Sequence, residues 1–551
     1  MNKNTLIFLL LWLTFGSVTT FAQKENKDFE ILKNLEIFSS VYKELHLNYV
    51  DEVKSGELIK TALDAMLRTL DPYTVYIPEA EIEDFKILTL GQYGGIGSTI
   101  HYRNGAVYIS EPYKDFPAHK AGLLPGDKIL KINGQDTKGK STEDVSSLLK
   151  GQAGTSLELT IERIGVNKPL SFSMLRQEIK IDNVTFAGIL KDQIAYIRLD
   201  GFTQDASKEF KDAFLKLKAE GIKGLIVDLR YNGGGLLNEA VNMVNMFVGK
   251  GLPVVSTKGK VEAKNHTFYT SDAPLDLDIP IVFLTSRGTA SASEIFAGAM
   301  QDYDRAVIIG QRSFGKGLVQ NVLPLDYNSQ MKITVSKYYI PSGRCVQAID
   351  YGHRDAEGKA NKIPDSLRTA FKTKGGRSVY DGDGIEPEIE LAEESYSNIS
   401  ASLLTKFLIF DFANEFKRNT PQIANPKDFI VTDTLYANFI TFLNDKEYGY
   451  ETQSETLLKE MQRIAQEENY QENIQKELDA LSLKLKDSKK EDLSKHKEEI
   501  RQLLKEEITS RYFFQKGRAE ASLDGDKTVN KAIEVLTHPK EYQKLLSNTG
   551  R

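Results

Sequence analysis

Cysteine is almost absent: Cys345 is alone among 551 residues. A single thiol excludes any intrachain disulfide, so stability must come from buried apolar surface, which a chain of this length can supply. Histidine is sparse too, seven in all, and there is no His-Glu-x-x-His run. With one thiol besides, no metal site and no cofactor are expected. Neither sign of charge dominates, since 77 acidic and 71 basic residues leave a net charge of −6 and no basic face for nucleic acid. Beyond the first 22 residues no apolar stretch is long enough to span a bilayer.

Those first residues carry Lys3, an apolar run from Leu6 to Leu13, and Thr20-Phe21-Ala22 before Gln23. The run is short for a membrane span, and small residues stand where a signal peptidase reads. Residues 1–22 are therefore read as a secretory signal peptide, with an uncleaved N-terminal anchor as the alternative. The expected location is exported, periplasmic or cell-envelope, membrane-associated if the signal stays.

The chemistry concentrates between Thr289 and Gln320. Ser291 stands at a predicted helix start in Thr-Ala-Ser-Ala-Ser-Glu, and Lys316 lies in the loop Ser313-Phe314-Gly315-Lys316-Gly317. A serine hydroxyl needs a base to take its proton, and a lysine serves only when neutral, which requires a desolvated setting. Phe314, Leu318 and Val319 offer apolar cover. Small residues around Ser291 suit a helix N-terminus packed beneath a reacting carbonyl, where unpaired N–H groups are useful to an oxyanion. Two other readings stand beside this one. Ser291 or Ser293 serves as an N-cap, with Glu294 completing a capping box. Gly310 to Lys316 also fits G-x-x-x-x-G-K, but Gly317 replaces the Ser/Thr a nucleotide site needs. No histidine falls in this stretch; His266 and His353 are the nearest.

These motifs, together with Asp228-Leu229-Arg230-Tyr231-Asn232-Gly233-Gly234-Gly235, Lys337-Tyr338-Tyr339-Ile340-Pro341-Ser342-Gly343-Arg344 and Asp383-Gly384-Ile385-Glu386-Pro387, occur in the order found in the C-terminal processing peptidases, also called tail-specific proteases. The chain resembles that family over roughly residues 30 to 395. The resemblance implies Ser291 as nucleophile, Lys316 as base and Gln320 holding the lysine. It also implies Glu294 and Asp302 as supporting residues, and oxyanion donors from Ser291 and from Gly234 or Gly233. Gly-rich Gly94-Gly95-Ile96-Gly97 before the strand Ser98-Thr99-Ile100, with Ala121 to Gly134, resembles a PDZ domain. Its glycine loop would cradle a C-terminal carboxylate, Ile96 and Ile100 would line a pocket for the last side chain, and helix Glu143 to Lys150 would form the other wall. A groove filled by the chain itself is the alternative.

Periodicity orders the rest. Residues 23–90 carry apolar positions at helical spacing (Phe29, Leu32, Leu35, Phe38, then Leu63, Met66, Leu67, Leu70) up to Asp71-Pro72. Residues 91–180 read as the PDZ domain, and 181–394 as alternating strands and helices. Tyr351 to Tyr380 looks like an exposed insertion. Residues 395–551 read as a helical region with packing stripes Ile474, Leu478, Leu481, Leu485 and Leu493, Ile500, Leu504. The expected fold is multidomain α+β: an α/β serine protease core with an inserted PDZ domain and helical N- and C-terminal regions. The expected function is a secreted serine endopeptidase acting on proteins with apolar C-termini, a homo-oligomer or adaptor forming through the C-terminal helices. An inert PDZ scaffold for another protease is the rival.

Overall fold

The computed structural model describes residues 28–547 apart from 394, so the signal peptide expected at 1–22 lies outside the described residues. Two compact units divide the chain: residues up to Tyr76 with 322–333, and 77–321 with 334 onward. In the first, a helix covers 28–48 and a second runs Ser55–Arg68. The chain leaves that second helix at Asp71-Pro72, where the proline has no N–H to continue it. Asp71 Oδ1 accepts the Tyr73 and Thr74 N–H groups at 2.8 Å each, closing the turn. The stripe Phe29, Leu32, Leu35, Phe38 and Val41 is helical as its spacing predicts, yet it stays exposed. Among the described residues no helix is long and apolar enough to cross a membrane.

The protease core is a six-stranded sheet, ordered Val184–Ile189, Ile194–Leu199, Gly224–Asp228, Ile281–Thr285, Val307–Gly310 and Ile389–Glu390. The first pair is antiparallel and the others are parallel. Parallel strands bury both faces, and the period of two shows how. Leu225, Val227, Ile281, Phe283 and Ile308 point to helices Ala206–Ala219, Leu237–Asn245 and Ala292–Asp302, in a core with Phe210, Phe214, Phe247 and Phe296. Ile226, Val282, Leu284, Val307 and Ile309 point the other way, onto Val529, Ala532, Val535, Leu536 and Tyr542. The second face is thus covered by helices Lys527–Thr537 and Pro539–Ser547, near the far end of the chain. Tyr542 Oη accepts from Ile281 N–H at 3.0 Å and donates to its carbonyl at 3.1 Å.

The region expected at 395–551 starts where it was placed but is shared between two cores. Only the helices from Asn398 to about residue 510 build a separate core, around Leu403, Ile409, Phe412, Phe439, Ile500, Leu504 and Ile508. The last two helices belong to the protease layers. Of the stripe 474–485, Leu478 is buried whereas Leu481 is exposed. The segment 351–380 is mostly exposed, as expected, but it is ordered. It forms two small antiparallel ribbons, and Arg377 is buried from it onto Asp304 (2.6 Å), Glu388 and the Gln301 carbonyl.

The PDZ unit is a sheet ordered Ser98–Arg103, Ala106–Pro112, Lys128–Ile132, Ser156–Glu162 and Leu170–Leu175, with helix Thr142–Leu149 beside its edge strand Ser98–Arg103. Gln92–Gly95 pairs with Gln177–Lys180 to form the ribbon at its neck. Helices of the C-terminal region hold this unit. The His101 ring stacks on Phe407 at 4.3 Å and meets Phe410 edge-on at 5.3 Å, while Arg103 pairs with Asp411 at 2.8 Å. Glu111 faces Arg518 at 3.4 Å, and Glu507 binds both Arg518 and Arg511.

Burial first, then the Arg103 charge, lowers the His101 imidazole from 6.5 to about 4. Between those values the unfolded chain binds a proton that the folded chain refuses, so stability present above pH 6.5 is lost as pH falls toward 4. Melting temperature followed from about pH 7 to about pH 5 should fall, and His101→Phe should flatten that part of the profile. On the protease sheet, Tyr542→Phe removes a buried hydroxyl with two backbone partners. Urea unfolding should show a loss of about 1–3 kcal/mol.

Candidate active site

Strand Ile281–Thr285 ends in a loop that delivers Ser291 to the start of helix Ala292–Asp302. Ser291 takes φ 60° and ψ −115°, a conformation that costs a non-glycine residue about 1–3 kcal/mol and persists only where neighbours enforce it. Its carbonyl accepts from Ile295 N–H at 2.9 Å and from the buried Tyr338 hydroxyl at 3.2 Å. Its N–H donates to Glu294 Oε2 at 2.8 Å.

Glu294 is wholly buried, and it joins the two halves of the site. Oε2 also accepts Lys316 N–H at 2.9 Å, while Oε1 accepts Gly315 N–H at 2.7 Å and the Ser313 hydroxyl at 2.5 Å. Ser313 Oγ itself accepts Ile385 N–H at 2.6 Å, so its proton is directed to Glu294. Burial pushes this carboxyl above its ordinary range, opposed by Ser313 and the three backbone donors. Four donors and no acceptor around two oxygens is the environment of a carboxylate. One side chain thereby fixes the backbone of the serine against that of the lysine loop. Phe314 N–H, donated to the Thr289 carbonyl at 2.9 Å, adds a second tie. Lys316 itself is half-buried.

A second anchor went unassigned in the sequence. Asn232 is fully buried; its carbonyl accepts Ala290 N–H and Ser293 Oγ–H, both at 3.0 Å, and its Nδ2 donates to the Leu199 carbonyl at 2.7 Å. It sits in the quoted Asp-Leu-Arg-Tyr-Asn-Gly run, but nothing in the spacing announces that it reaches the serine helix. Upstream, Asp228 is held below its ordinary range: burial raises it, and the Arg230 guanidinium at 2.6 Å with the Tyr196 hydroxyl outweighs that.

The oxyanion expectation needs correction. Both N–H groups favoured for it are donated internally, Ser291 to Glu294 and Gly234 to Asn232 Oδ1 at 2.9 Å. Gly233 N–H and Ala292 N–H have no acceptor among the described residues, which makes Gly233, the second choice in sequence, the more available donor on its turn. Gly234 has a different task. At φ 93°, an added Cβ would lie 2.6 Å from the Ala290 oxygen and 2.7 Å from Ala292 N, so glycine alone lets this turn lie against the serine.

Gln320 directs its amide nitrogen to Thr334 Oγ1 at 3.1 Å, a contact the sequence did not suggest. Asp302 lies at the far end of the serine helix, about 16 Å away at 1.5 Å per residue. It pairs with buried Arg344 at 2.9 Å and accepts Ser342 N–H, so it anchors the helix and stands apart from the reacting groups. In the PDZ loop, Gly94 and Gly95 are engaged in the neck ribbon and the Gly94 carbonyl accepts Gly151 N–H at 3.0 Å. Of the loop expected to cradle a carboxylate, this leaves Ile96 and Gly97, with Ser98 beyond them, outside the ribbon. Ile96 is buried in the PDZ core and Ile100 half-buried against it.

The described residues contain no group of three or more His, Cys, Asp or Glu placed to hold a metal. What they build is a serine at a helix start, a lysine loop tied to it by a buried carboxylate, and N–H groups beside both.

The model of Peptidase family S41 matches residues 193–352, a PDZ domain model 108–163, the Activating protease CtpB N-terminal domain 14–81, and the C-terminal helical domain of PDZ-proteases 399–536. A carboxy-terminal-processing protease of Bartonella bacilliformis is 37% identical over 337 residues, covering 60% of this chain and 76% of that protein. The chain belongs to the C-terminal processing peptidases. It is a serine-type peptidase carrying a PDZ domain. A CtpA-like serine protease of Staphylococcus aureus is 36% identical over 319 residues, 57% of this chain and 62% of that protein. Among solved structures, the photosystem II D1 C-terminal processing protease aligns at 28% identity over 64% of this chain and 85% of that one, with a TM-score of 0.34.

In this peptidase, Glu294→Gln offers one acceptor and one unwanted donor to four donors. It should abolish most activity and cost at least about 1–3 kcal/mol. Asp302→Asn should lower the melting temperature with a smaller effect on kcat. Peptide hydrolysis and thermal unfolding on both variants check the contrast.

Proposed function

We propose that the protein is an exported endopeptidase that cleaves proteins near their C-termini with a Ser291–Lys316 dyad. The observation that carries this reading is the double tie of Glu294, which holds the Ser291 and Lys316 backbones to one buried carboxylate. Ser291 Oγ attacks the scissile carbonyl as Lys316, in its neutral form, takes the hydroxyl proton. The tetrahedral oxyanion is received by N–H groups at the serine helix start and the glycine turn, those of Ala292 and Gly233 having no acceptor among the described residues. Lys316 then gives the proton to the leaving amine, and water repeats the sequence on the acyl-enzyme. Gln320 helps hold the lysine. The PDZ loop at Ile96–Ser98 receives the substrate's terminal carboxylate, and Ile96 and Ile100 favour an apolar last residue. The signal at residues 1–22 directs the chain to the cell envelope, where the C-terminal helices serve self-association or an adaptor.

Ser291→Ala and Lys316→Ala should each abolish cleavage, and the double variant should add little, as groups acting as a unit are not additive. Lys316→Arg should not rescue, because arginine stays protonated. The rate should rise with pH as the lysine loses its proton, and chelator should leave it unchanged. A substrate with a free apolar C-terminus should be cut faster than its C-terminal amide. Substantial activity in Ser291→Ala defeats the dyad; equal rates on acid and amide defeat tail recognition.

A further inference from the structure

Glu294 holds only part of the lysine loop's backbone. It accepts the N–H groups of Gly315 and Lys316 and leaves that of Gly317. The Gly317 N–H is donated instead to Gln347 Oε1 at 2.8 Å, on a side chain that is 4% exposed. Gln347 Nε2 donates in turn to the Ile349 carbonyl at 2.8 Å, which fixes the amide with its oxygen toward the loop.

The segment that carries Gln347 is anchored on its own account. Val346 and Ala348 are buried on either side of it, and their carbonyls accept the N–H groups of Gly384 and Ile363, both at 2.9 Å. Ala348 N–H reaches the Gly315 carbonyl at 2.9 Å, and Tyr338, whose hydroxyl holds the Ser291 carbonyl, donates its N–H to the Gly317 carbonyl at 2.9 Å. The approach is close. A Cβ on Gly317 would lie 2.7 Å from Gln347 N, so only glycine fits there.

These bonds decide the geometry of the residue between the two glycines. A peptide group is planar, so the backbone at any residue is set by the orientation of the two planes that flank it. The plane before Lys316 contains the Gly315 carbonyl and the Lys316 N–H, held by Ala348 and Glu294. The plane after it contains the Gly317 N–H, held by Gln347. With both planes fixed, φ and ψ of Lys316 are fixed, and with them the Cα–Cβ bond from which the lysine side chain starts. Glu294 cannot do this alone, because its bonds stop at the first plane.

We propose that Gln347 is a positioning residue of this peptidase: it fixes the peptide that follows Lys316 and thereby directs the lysine side chain toward Ser291. The inference rests on the reading of Lys316 as the base, and Gln347 acts only through it.

The test follows the labelling of the full-length protein by a fluorophosphonate, in which Ser291 Oγ displaces fluoride from phosphorus and its proton passes to the base. The rate reports how well the serine is activated, and the final stoichiometry counts folded sites. Gln347→Met has similar length and no acceptor. It should label about 10- to 100-fold more slowly, the loss expected of a displacement of about 1 Å, and still reach the wild-type stoichiometry. Gln347→Glu keeps an acceptor for the Gly317 N–H and should recover most of the rate. In a Lys316→Ala background, Gln347→Met should slow labelling no further, since groups that act as a unit are not additive. A wild-type rate in Gln347→Met, a reduced final stoichiometry in place of a reduced rate, a Gln347→Glu variant no faster than Gln347→Met, or a further loss in the Lys316→Ala background overturns the inference. A wild-type rate in Lys316→Ala itself would overturn the dyad, and this inference with it.

Discussion

The catalytic arrangement depends on one buried carboxylate. Glu294 sits three residues into the serine helix and accepts hydrogen bonds from the N–H groups of Ser291, Gly315 and Lys316 and from the Ser313 hydroxyl. Each bond to the carboxylate is worth about 1.5–3 kcal/mol net, and all four converge on a group that is fully buried where it lies. The loop carrying the lysine has no regular structure of its own. Without those bonds its backbone would be free to move relative to the serine, and a displacement of about 1 Å is enough to disable positioned chemistry.

Around this centre the fold is arranged as a set of clamps on the serine helix. Glu294 and Asn232 hold its first turn, Tyr338 holds the Ser291 carbonyl, and the Asp302–Arg344 pair holds its last turn. The strained backbone of Ser291 is the mark of that over-determination. The same bonds occupy the N–H groups of Ser291 and Gly234, so stability of the resting site and availability of its donors draw on the same atoms.

The alternating strands and helices of the core were legible in sequence, as were the serine helix start and the loop carrying the lysine. Each is written in local periodicity or in a short motif. The four-donor arrangement was not legible, because three of the donors are backbone N–H groups that every residue possesses and only the tertiary path brings together. Asn232 was missed for the same reason: its acceptor is a carbonyl. The helices covering the second face of the sheet were read as part of a separate region, since an amphipathic stripe shows that a helix has a buried face and not what it is buried against. The exposed stripe on 28–48 is the converse case, a clear pattern whose partner surface is not supplied within its own unit.

The contact between Tyr542 and Ile281 spans 261 residues of the chain, and it sets an order in time. During synthesis the strands of the protease sheet emerge long before the helices that cover their second face, leaving Ile226, Val282, Leu284 and Ile309 against solvent until those helices arrive. Domains generally fold as units, N-terminal first, at about 5–20 residues per second. The PDZ domain and the separate helical core need nothing from that terminal stretch, so they complete first. The second face of the protease sheet is therefore completed only once residues 527–547 have been made.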